Sequence, residues 1–271
     1  MHHPPLRTGL TTIKVMKIYS LEQGQVITKW KILEKYDFEL LAGEPQKMPD
    51  GDYSYYQYLN KRWQETGKNV LCQEFLLKEH KGVSIIQEPF GGCGVFSVAL
   101  QNILQPENHV IGELDDDCMS QLRHCMSAYP NITVNKEDAH ETLGASPADI
   151  YVCDFPFFTL IQHINGKWRK EMQRMVAHKP KAIIITDGSS CRWHFTAPNL
   201  IARGYNVTND RESYASVFSD YFEEHYGYRV TAMAYHGTCF YIKVEHCDEE
   251  IKPIKYKKIK AGEGYKGLKP I

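Results

Sequence analysis

A glycine-rich turn between a buried strand and a helix constrains this chain more than any other feature. The residues from Ile85 to Gly94 read Ile-Ile-Gln-Glu-Pro-Phe-Gly-Gly-Cys-Gly and lead into the apolar run from Val95 to Leu100. Glycine reaches positive φ without steric cost and lets a backbone approach a ligand closely, while a helix N-terminus offers free N–H donors. The run therefore predicts a strand, a tight loop and a helix that together form a nucleotide or nucleoside site.

The order of residues in this loop separates two kinds of site. A dinucleotide fingerprint requires G-x-G-x-x-G, and Ser97 stands where the last glycine would be, which disfavours an NAD site. The loop resembles instead the S-adenosylmethionine loop of the DNA amino-methyltransferases, D/E-P-F-x-G-x-G, at every fixed position. A loop with a structural role only is the alternative. The resemblance implies S-adenosyl-L-methionine as the cofactor, bound by Glu88, Phe90, Gly92 and Gly94.

Composition and charge limit the partners of the chain. Its 271 residues include 32 basic and 33 acidic ones, so attraction to a nucleic acid would have to come from local patches. There is no apolar run of bilayer length and no signal-peptide core, so we expect a cytoplasmic protein without a membrane partner, the nucleus being left open. The eight cysteines include no C-x-x-C pair and form no zinc pattern with histidine, so we expect reduced thiols and no metal.

Short β-branched runs alternate with helical patterns from Val83 onward, which predicts βαβ units and a mostly parallel sheet. The last two runs are longer and are joined by His236-Gly237, which predicts an antiparallel C-terminal hairpin. This order resembles the Rossmann-like class I methyltransferase fold, an α/β fold with a seven-stranded sheet, over roughly residues 83–246. The predicted strands are 83–87, 109–113, 132–135, 149–153, 182–186, 228–235 and 238–245.

The chain is expected to have three parts. Residues 1–54 are an N-terminal accessory region that includes the strand-like piece from Ile13 to Ser20, residues 55–247 are the methyltransferase domain, and residues 248–271 are a basic C-terminal tail. Apolar residues at helical spacing predict helices before the sheet and after each of the first two predicted strands. The stripes after those strands are Phe96, Leu100 and Leu104, then Met119, Leu122 and Met126.

Acidic residues follow the second and third predicted strands. A carboxylate is an efficient double acceptor, so the acid that ends the second strand, Glu113, is expected to take both ribose hydroxyls of the cofactor, with Asp115 as the alternative. The acidic start of the next helix, stabilised by the helix dipole, is the competing explanation for at least two acids here. After the third strand, the family resemblance implies that Asp138 binds the adenine amine, although an acid there is commonly a turn or cap residue.

The end of the fourth predicted strand is expected to carry the chemistry. Asp154-Phe155-Pro156-Phe157-Phe158 resembles the D/N/S-P-P-Y/F/W motif of the amino-methyltransferases. An acid and the carbonyl before a proline turn can accept both hydrogens of an NH₂ group, while an aromatic ring stacks on the base. The resemblance implies direct in-line methyl transfer without a covalent intermediate; a buried aromatic cluster is the alternative. Asp154, Pro156 and Phe157 are the implied catalytic residues, and Phe158 is implied to bind substrate.

The same motif departs from the family at Phe155, which replaces the first proline and leaves a different nucleophile open. The short segment 139–148 leaves no room for a recognition insert. Substrate recognition is therefore expected in the segment from Ser189 to Gly227, which contains Arg192 and Trp193, or in the lysine-rich tail. Cys153 is expected in the core.

Three functions stay open at this point. The first is N-methylation of an exocyclic amine of a nucleic-acid or nucleotide base. The second is an enzyme of the same fold that acts on a small molecule or a protein, which the nearly neutral charge and the missing insert favour. The third is a non-catalytic methyltransferase-like subunit. A protein partner or a homo-oligomer also stays open.

Overall fold

Eight strands of the described residues form one mixed sheet. The computed structural model describes residues 17–20, 70, 72–92, 94–154, 160–187, 201, 211–236 and 239–246. The strands are β1 (Lys17–Ser20), β2 (Ile85–Glu88), β3 (Asn108–Glu113), β4 (Ile132–Lys136), β5 (Ile150–Cys153), β6 (Ala182–Asp187), β7 (Tyr228–His236) and β8 (Cys239–His246).

The strand order is β1-β7-β8-β6-β5-β2-β3-β4. Only β8 runs antiparallel to its neighbours within the described sheet, since it lies between β6 and β7 and pairs antiparallel with both. The predicted plan of five parallel strands and an antiparallel hairpin is thereby confirmed, with each predicted strand within two residues of its observed bounds. β1 is an additional edge strand, parallel to β7, and it falls in the strand-like stretch from Ile13 to Ser20. The predicted boundary at residue 54 stays a prediction.

Helices cover both faces of this sheet. The predicted apolar stripes are confirmed: Leu100 and Leu104 are fully buried, and so is Leu122. None of the described helices combines the length and the apolar character that crossing a bilayer requires. The helices are α1 (Val95–Leu104), α2 (Asp116–Met126), α3 (Ala139–Thr142), α4 (Leu160–Ile164), α5 (Arg169–Ala177) and α6 (Arg211–Tyr226), with residues 72–77 helical before a 3₁₀ turn at Lys78–His80.

Successive residues of the central strands point to opposite faces of the sheet, as the period of a strand requires. In β6, Ile184 packs with α1 and α2, whereas Ile183 and Ile185 pack with α5 and α6. In β5, Val152 belongs to the first cluster and Tyr151 to the second. Two cores on the two faces explain why these strands read as nearly continuous apolar runs.

The order of the strands reverses between β2 and β5. The chain leaves β2 toward β3 and β4 on one side, but it leaves β5 toward β6 on the other side, and β2 and β5 pair directly through Ile86 with Ile150 and Gln87 with Tyr151. Crossovers that depart in opposite directions leave a crevice outside the carboxyl ends of the two strands. Ligand-binding residues are therefore expected after Glu88 and after Cys153.

The opposite, amino-terminal edge of the sheet is held by Asp149. One carboxylate oxygen of Asp149 accepts the backbone N–H groups of Ser84 at 2.9 Å and Ile85 at 3.0 Å, while the other lies 3.0 Å from the Lys181 ammonium. One side chain thus joins the starts of β2, β5 and β6. Partial burial raises the pKa of Asp149, but the Ile85 N–H and the Lys181 charge outweigh burial and hold that pKa below its usual value.

We predict that Asp149→Ala lowers the free energy of unfolding by about 1 to 2 kcal/mol, since two backbone donors lose their acceptor. Lys181→Ala should cost less than about 0.5 kcal/mol, because its ammonium is solvated and the backbone bonds remain. A folded pKa below the unfolded one stabilises the protein above the unfolded pKa, so the Asp149→Ala effect should shrink as pH falls below about 4. Urea unfolding of both variants at pH 7 and pH 3.5 measures this, and equal losses for the two variants would contradict it.

Candidate functional site

The glycine bend after β2 is packed tightly against β3. The Gly91 N–H donates to the Gly112 carbonyl at 2.8 Å. A Cβ at Gly91 would lie 2.4 Å from Ile111 Cγ2 and 2.9 Å from Leu122 Cδ2, so any side chain here would collide with the core. Gly91 is therefore required by packing rather than by a ligand.

Gly92 and Gly94 have a different reason to be glycine. Both have positive φ, 52° at Gly92 and 87° at Gly94, a backbone region that other residues rarely adopt. A Cβ on Gly94 would meet Leu122 at 3.1 Å, whereas a Cβ on Gly92 would meet no described residue within 4 Å. Gly94 is the N-cap residue of α1, and the Val98 N–H donates to its carbonyl at 3.1 Å. Gly92 thus borders open space at the start of α1.

Glu113 closes the bend from the neighbouring strand. Its Oε2 accepts the Gly92 N–H at 2.7 Å, and its Oε1 accepts the N–H groups of Leu114 and Asp115 at 2.7 and 2.9 Å. Asp115 instead caps α2, since its Oδ1 accepts the N–H groups of Asp117 and Cys118. Of the two acids, Glu113 is the one at the glycine bend.

Asp138 lies beyond β4, where it caps the short helix α3. Its Oδ1 accepts the His140 N–H at 2.8 Å, which is the cap role that an acid after a strand commonly has. The neighbouring Glu137 is the acid that packs on β3, because a Cβ on Gly112 would lie 2.7 Å from Glu137 Oε1. Burial raises the pKa of Glu137, and this effect outweighs a hydrogen bond from Thr142 that lowers the pKa. Sequence reasoning passed over Glu137, which no motif marks.

Phe90 lies on the other side of the bend. Its ring meets the buried ring of Trp168 edge-on at 6.1 Å, and Trp168 stacks on His140 at 4.5 Å. Trp168 Nε1 donates to Gln162 at 3.0 Å. The half-buried Phe90 therefore ties the bend to α3 and α5, a contact between distant segments that the sequence did not indicate.

Asp154 follows β5 at the same edge of the sheet. Its Oδ1 accepts the Thr186 hydroxyl at 2.7 Å and its Oδ2 accepts the Gln73 amide N–H at 3.1 Å. Burial raises the pKa of Asp154 to about 6, and the nearby charge of Glu88 contributes to this increase. The hydrogen bonds from Thr186 and Gln73 lower the pKa but do not outweigh burial. Cys153, just before it, is fully buried in the core as expected, and burial raises the pKa of its thiol.

Glu88, the last residue of β2, is fully buried and oriented by a chain of side chains. Its Oε2 lies 3.1 Å from His109 Nε2, and Gln101 Nε2 lies 2.9 Å from His109 Nδ1. Gln101 Oε1 accepts from Asn131 at 3.3 Å, so Gln101 donates to Nδ1 and the His109 Nε2–H donates to Glu88. Glu88 Oε1 has no hydrogen-bond partner among the described residues.

The structure thus brings together three of the expected elements. The glycine bend, Glu113 and Asp154 meet at the carboxyl ends of neighbouring strands, with Glu88 between the bend and Asp154. Asp138 lies one strand further out, beyond β3. Gln73 and Thr186, which contact Asp154, were not expected from the sequence. The remaining candidates lie outside the described residues: Pro156, Phe157, Phe158, Arg192 and Trp193.

Three metal-ligating side chains, Glu79, His80 and Glu245, also lie near one another away from this edge. The buried Lys243 ammonium pairs with Glu79 and lies 3.3 Å from Glu245, so a positive charge is already present among them. Burial raises the pKa of Glu245, but His80 and Lys243 outweigh burial and lower it to about 2. We interpret the group as an ion-pair cluster that joins the 3₁₀ turn to β8.

The fold has known counterparts among solved structures, while protein-family models and curated protein sequences give no match. The complex of Trm1 from Pyrococcus horikoshii with S-adenosyl-L-methionine aligns at a TM-score of 0.50 and 11% identity, covering 68% of this chain and 55% of that chain. A candidate RNA methyltransferase from the same organism aligns at a TM-score of 0.49 and 12% identity, covering 80% of this chain and 98% of that chain. M. jannaschii TYW2 in complex with AdoMet aligns at a TM-score of 0.42 and 12% identity, covering 66% of this chain and 77% of that chain.

At such low identities a structural likeness is evidence of the fold alone. The Trm1 alignment and the strand order together show that this chain has the Rossmann-like class I methyltransferase fold, with a mostly parallel sheet and an antiparallel C-terminal hairpin.

We predict that Asp154 titrates near pH 6 in the folded protein, because burial disfavours its charged form. A folded pKa above the unfolded value means that the folded state binds more protons between about pH 4 and pH 6, so the free energy of unfolding should fall as pH rises through that window. Carboxyl ¹³C NMR and urea unfolding at several pH values measure both effects. Asp154→Asn should remove the titration and this part of the slope; an Asp154 that titrates near pH 4 would contradict the prediction.

Proposed function

We propose that this protein is an S-adenosyl-L-methionine-dependent methyltransferase that methylates an exocyclic amine of a nucleic-acid or nucleotide base by direct transfer. One observation carries the proposal: an open glycine bend and a half-buried, donor-oriented carboxylate follow neighbouring parallel strands at the point where the strand order reverses. In open α/β sheets, this crevice is where ligands bind.

The residues present fit the cofactor. The open side of Gly92 and the start of α1 leave room for a nucleoside beside the backbone. Three backbone N–H groups already bond to Glu113, so its Oε2 keeps one lone pair for a ribose hydroxyl. Glu88 offers to a positively charged group a buried oxygen that has no partner among the described residues. Phe90 borders the same bend. The solved Trm1 complex, which shares the fold, contains S-adenosyl-L-methionine.

The role of Asp154 follows from its hydrogen bonds. Thr186 and Gln73 each occupy one lone pair of a carboxylate oxygen, so each oxygen keeps one lone pair for an N–H of the target amine. When bound, the cofactor supplies a methyl group on a positively charged sulfur. Asp154 would hold the amine nitrogen with its lone pair free to attack the methyl carbon, so that the nitrogen–carbon bond forms as the carbon–sulfur bond breaks and S-adenosylhomocysteine leaves. The pKa of Asp154, about 6, suits it to take the proton that the nitrogen loses.

The other assignments belong to the same proposal. Pro156 and Phe157 would set the carbonyl and the stacking ring, and Phe158, Arg192 and Trp193 would contact the base or its phosphates. Asp138 would bind the adenine amine through the oxygen that does not cap α3. The division into an accessory region, a methyltransferase domain and a basic tail, at residues 54 and 248, is likewise proposed.

A small-molecule or protein acceptor is the second candidate. The chain has a formal net charge of -1, so no overall positive field favours a polyanion. Binding to an oligonucleotide that weakens steeply with salt would favour the first candidate, and salt-independent transfer to a small amine would favour the second.

Gly92→Leu should abolish binding of S-adenosylhomocysteine, because the side chain would fill the open space beside the bend. Gly82→Leu is the matched control: Gly82 also has positive φ and an open Cβ direction, but it precedes β2 at the opposite end of the strand. Both variants carry the same backbone strain of about 1 to 2 kcal/mol, so their thermal stabilities should fall alike. Isothermal titration calorimetry separates them, and equal affinity in the two variants would refute the assignment of the bend.

Asp154→Ala should lower the rate of methyl transfer by at least about a hundredfold while S-adenosylhomocysteine still binds, because the acceptor of the amine is lost. Transfer of a labelled methyl group to a panel of DNA, RNA, nucleotides, small amines and protein provides the measurement. Wild-type rates should rise with pH through about 6, the pKa of Asp154. Full activity of Asp154→Ala on any acceptor would remove the proposed role, and wild-type protein that binds cofactor but methylates nothing would indicate the non-catalytic subunit.

A further inference from the structure

Gln73 is a fully buried polar residue that no sequence motif marks. It lies in the helical segment 72–77 that precedes β2, and it is 81 residues from Asp154 in sequence. Its amide nitrogen donates to Asp154 Oδ2 at 3.1 Å, so the whole amide group lies against the carboxylate at the end of β5. Gln73 Oε1 has no hydrogen-bond partner among the described residues.

A second buried acceptor lies on β2, the strand next to β5. Glu88 Oε1 has no partner within the part of the chain that the structure describes, while the other carboxylate oxygen of Glu88 is held by His109. Leaving a buried acceptor unpaired is costly, and native proteins keep few such atoms. Both residues interact with Asp154, Gln73 through a hydrogen bond and Glu88 through its charge, so the two acceptors indicate a place that a donor-rich ligand group completes.

The donors already present determine what kind of group can enter. Thr186 and Gln73 both donate to Asp154, and His109 donates to Glu88, so the two atoms without a partner among the described residues, Gln73 Oε1 and Glu88 Oε1, are both acceptors. Two such acceptors favour a group with two or more N–H bonds over a carbonyl oxygen or a ring nitrogen that itself accepts.

The geometry points to Gln73 as a specificity-determining residue whose amide oxygen, together with Glu88 Oε1, binds a primary amino or ammonium group held next to Asp154. The inference rests on the proposed function, within which two groups have this chemistry: the ammonium group of the cofactor's methionine part and the amine that receives the methyl group.

Gln73→Met and Gln73→Glu test the acceptor role. Methionine has nearly the same length but neither donates nor accepts strongly, whereas glutamate keeps acceptor oxygens and loses the donor to Asp154. Gln121→Met is the matched control, because Gln121 is a buried glutamine on α2 with an unpaired Oε1 as well. Thermal unfolding of each variant reports whether it folds.

The ligands are S-adenosylhomocysteine, which carries the ammonium group, and 5′-methylthioadenosine, which lacks it. If Gln73 binds the cofactor, Gln73→Met should weaken S-adenosylhomocysteine binding about tenfold and leave methylthioadenosine binding unchanged. If Gln73 binds the target amine, both affinities should stay and kcat for the amine acceptor should fall about tenfold. In either case Gln73→Glu should lose less of the affected affinity or kcat than Gln73→Met. Gln121→Met should change neither the affinities nor kcat.

Equal loss in Gln73→Met and Gln73→Glu would overturn the inference and leave Gln73 as a support for Asp154 only. No change in a folded Gln73→Met variant would overturn it as well, while the proposed function would stand on wild-type binding and transfer. Wild-type protein that binds neither adenosine ligand would refute the proposed function, and the inference with it.

Discussion

The adjacency of β2 and β5 is the constraint on which the rest of this structure depends. Two parallel strands lie side by side while their crossovers leave in opposite directions, which is the arrangement that forms a crevice outside their carboxyl ends. The glycine bend after β2 and the carboxylate after β5 become neighbours for that reason, although they are separated along the chain. The amino ends of the same strands are joined by Asp149, at the edge of the sheet opposite to the glycine bend and Asp154.

Two carboxylates, Glu88 and Asp154, lie near one another at the carboxyl edge of the sheet. Glu88 is fully buried with one oxygen unpaired, and burial raises the pKa of Asp154 to about 6. Removing a charge from water is expensive, and strongly perturbed carboxyls in a crevice are typical of functional sites. Thr186, Gln73 and His109 supply donors that orient the two acids, but they leave acceptor capacity unused. A ligand with N–H donors would complete it.

Local sequence accounts for most of the sheet and for part of the site. The predicted strands lie within two residues of the observed ones because apolar runs covered on both faces have a strong signal. The sequence also favoured Glu113 over Asp115 as the acid near the bend, since an acid that begins a helix is occupied by capping, and Glu113 is the one that bonds to Gly92. Its role with a cofactor stays a prediction. The sequence could not predict four further residues, because each contacts a partner that is distant along the chain: Gln73, His109, Thr186 and Trp168.

The sequence by itself determined the strands, their order along the chain and the glycines of the bend, since hydrophobic periodicity and the freedom of glycine at positive φ are local properties. Only the tertiary structure decided which acids face one another, which are buried and which donors orient them. Burial and hydrogen bonding depend on segments that meet in space: the lateral order of the strands brings Glu88 beside Asp154, and packing of residues 72–77 brings Gln73 against the same carboxylate.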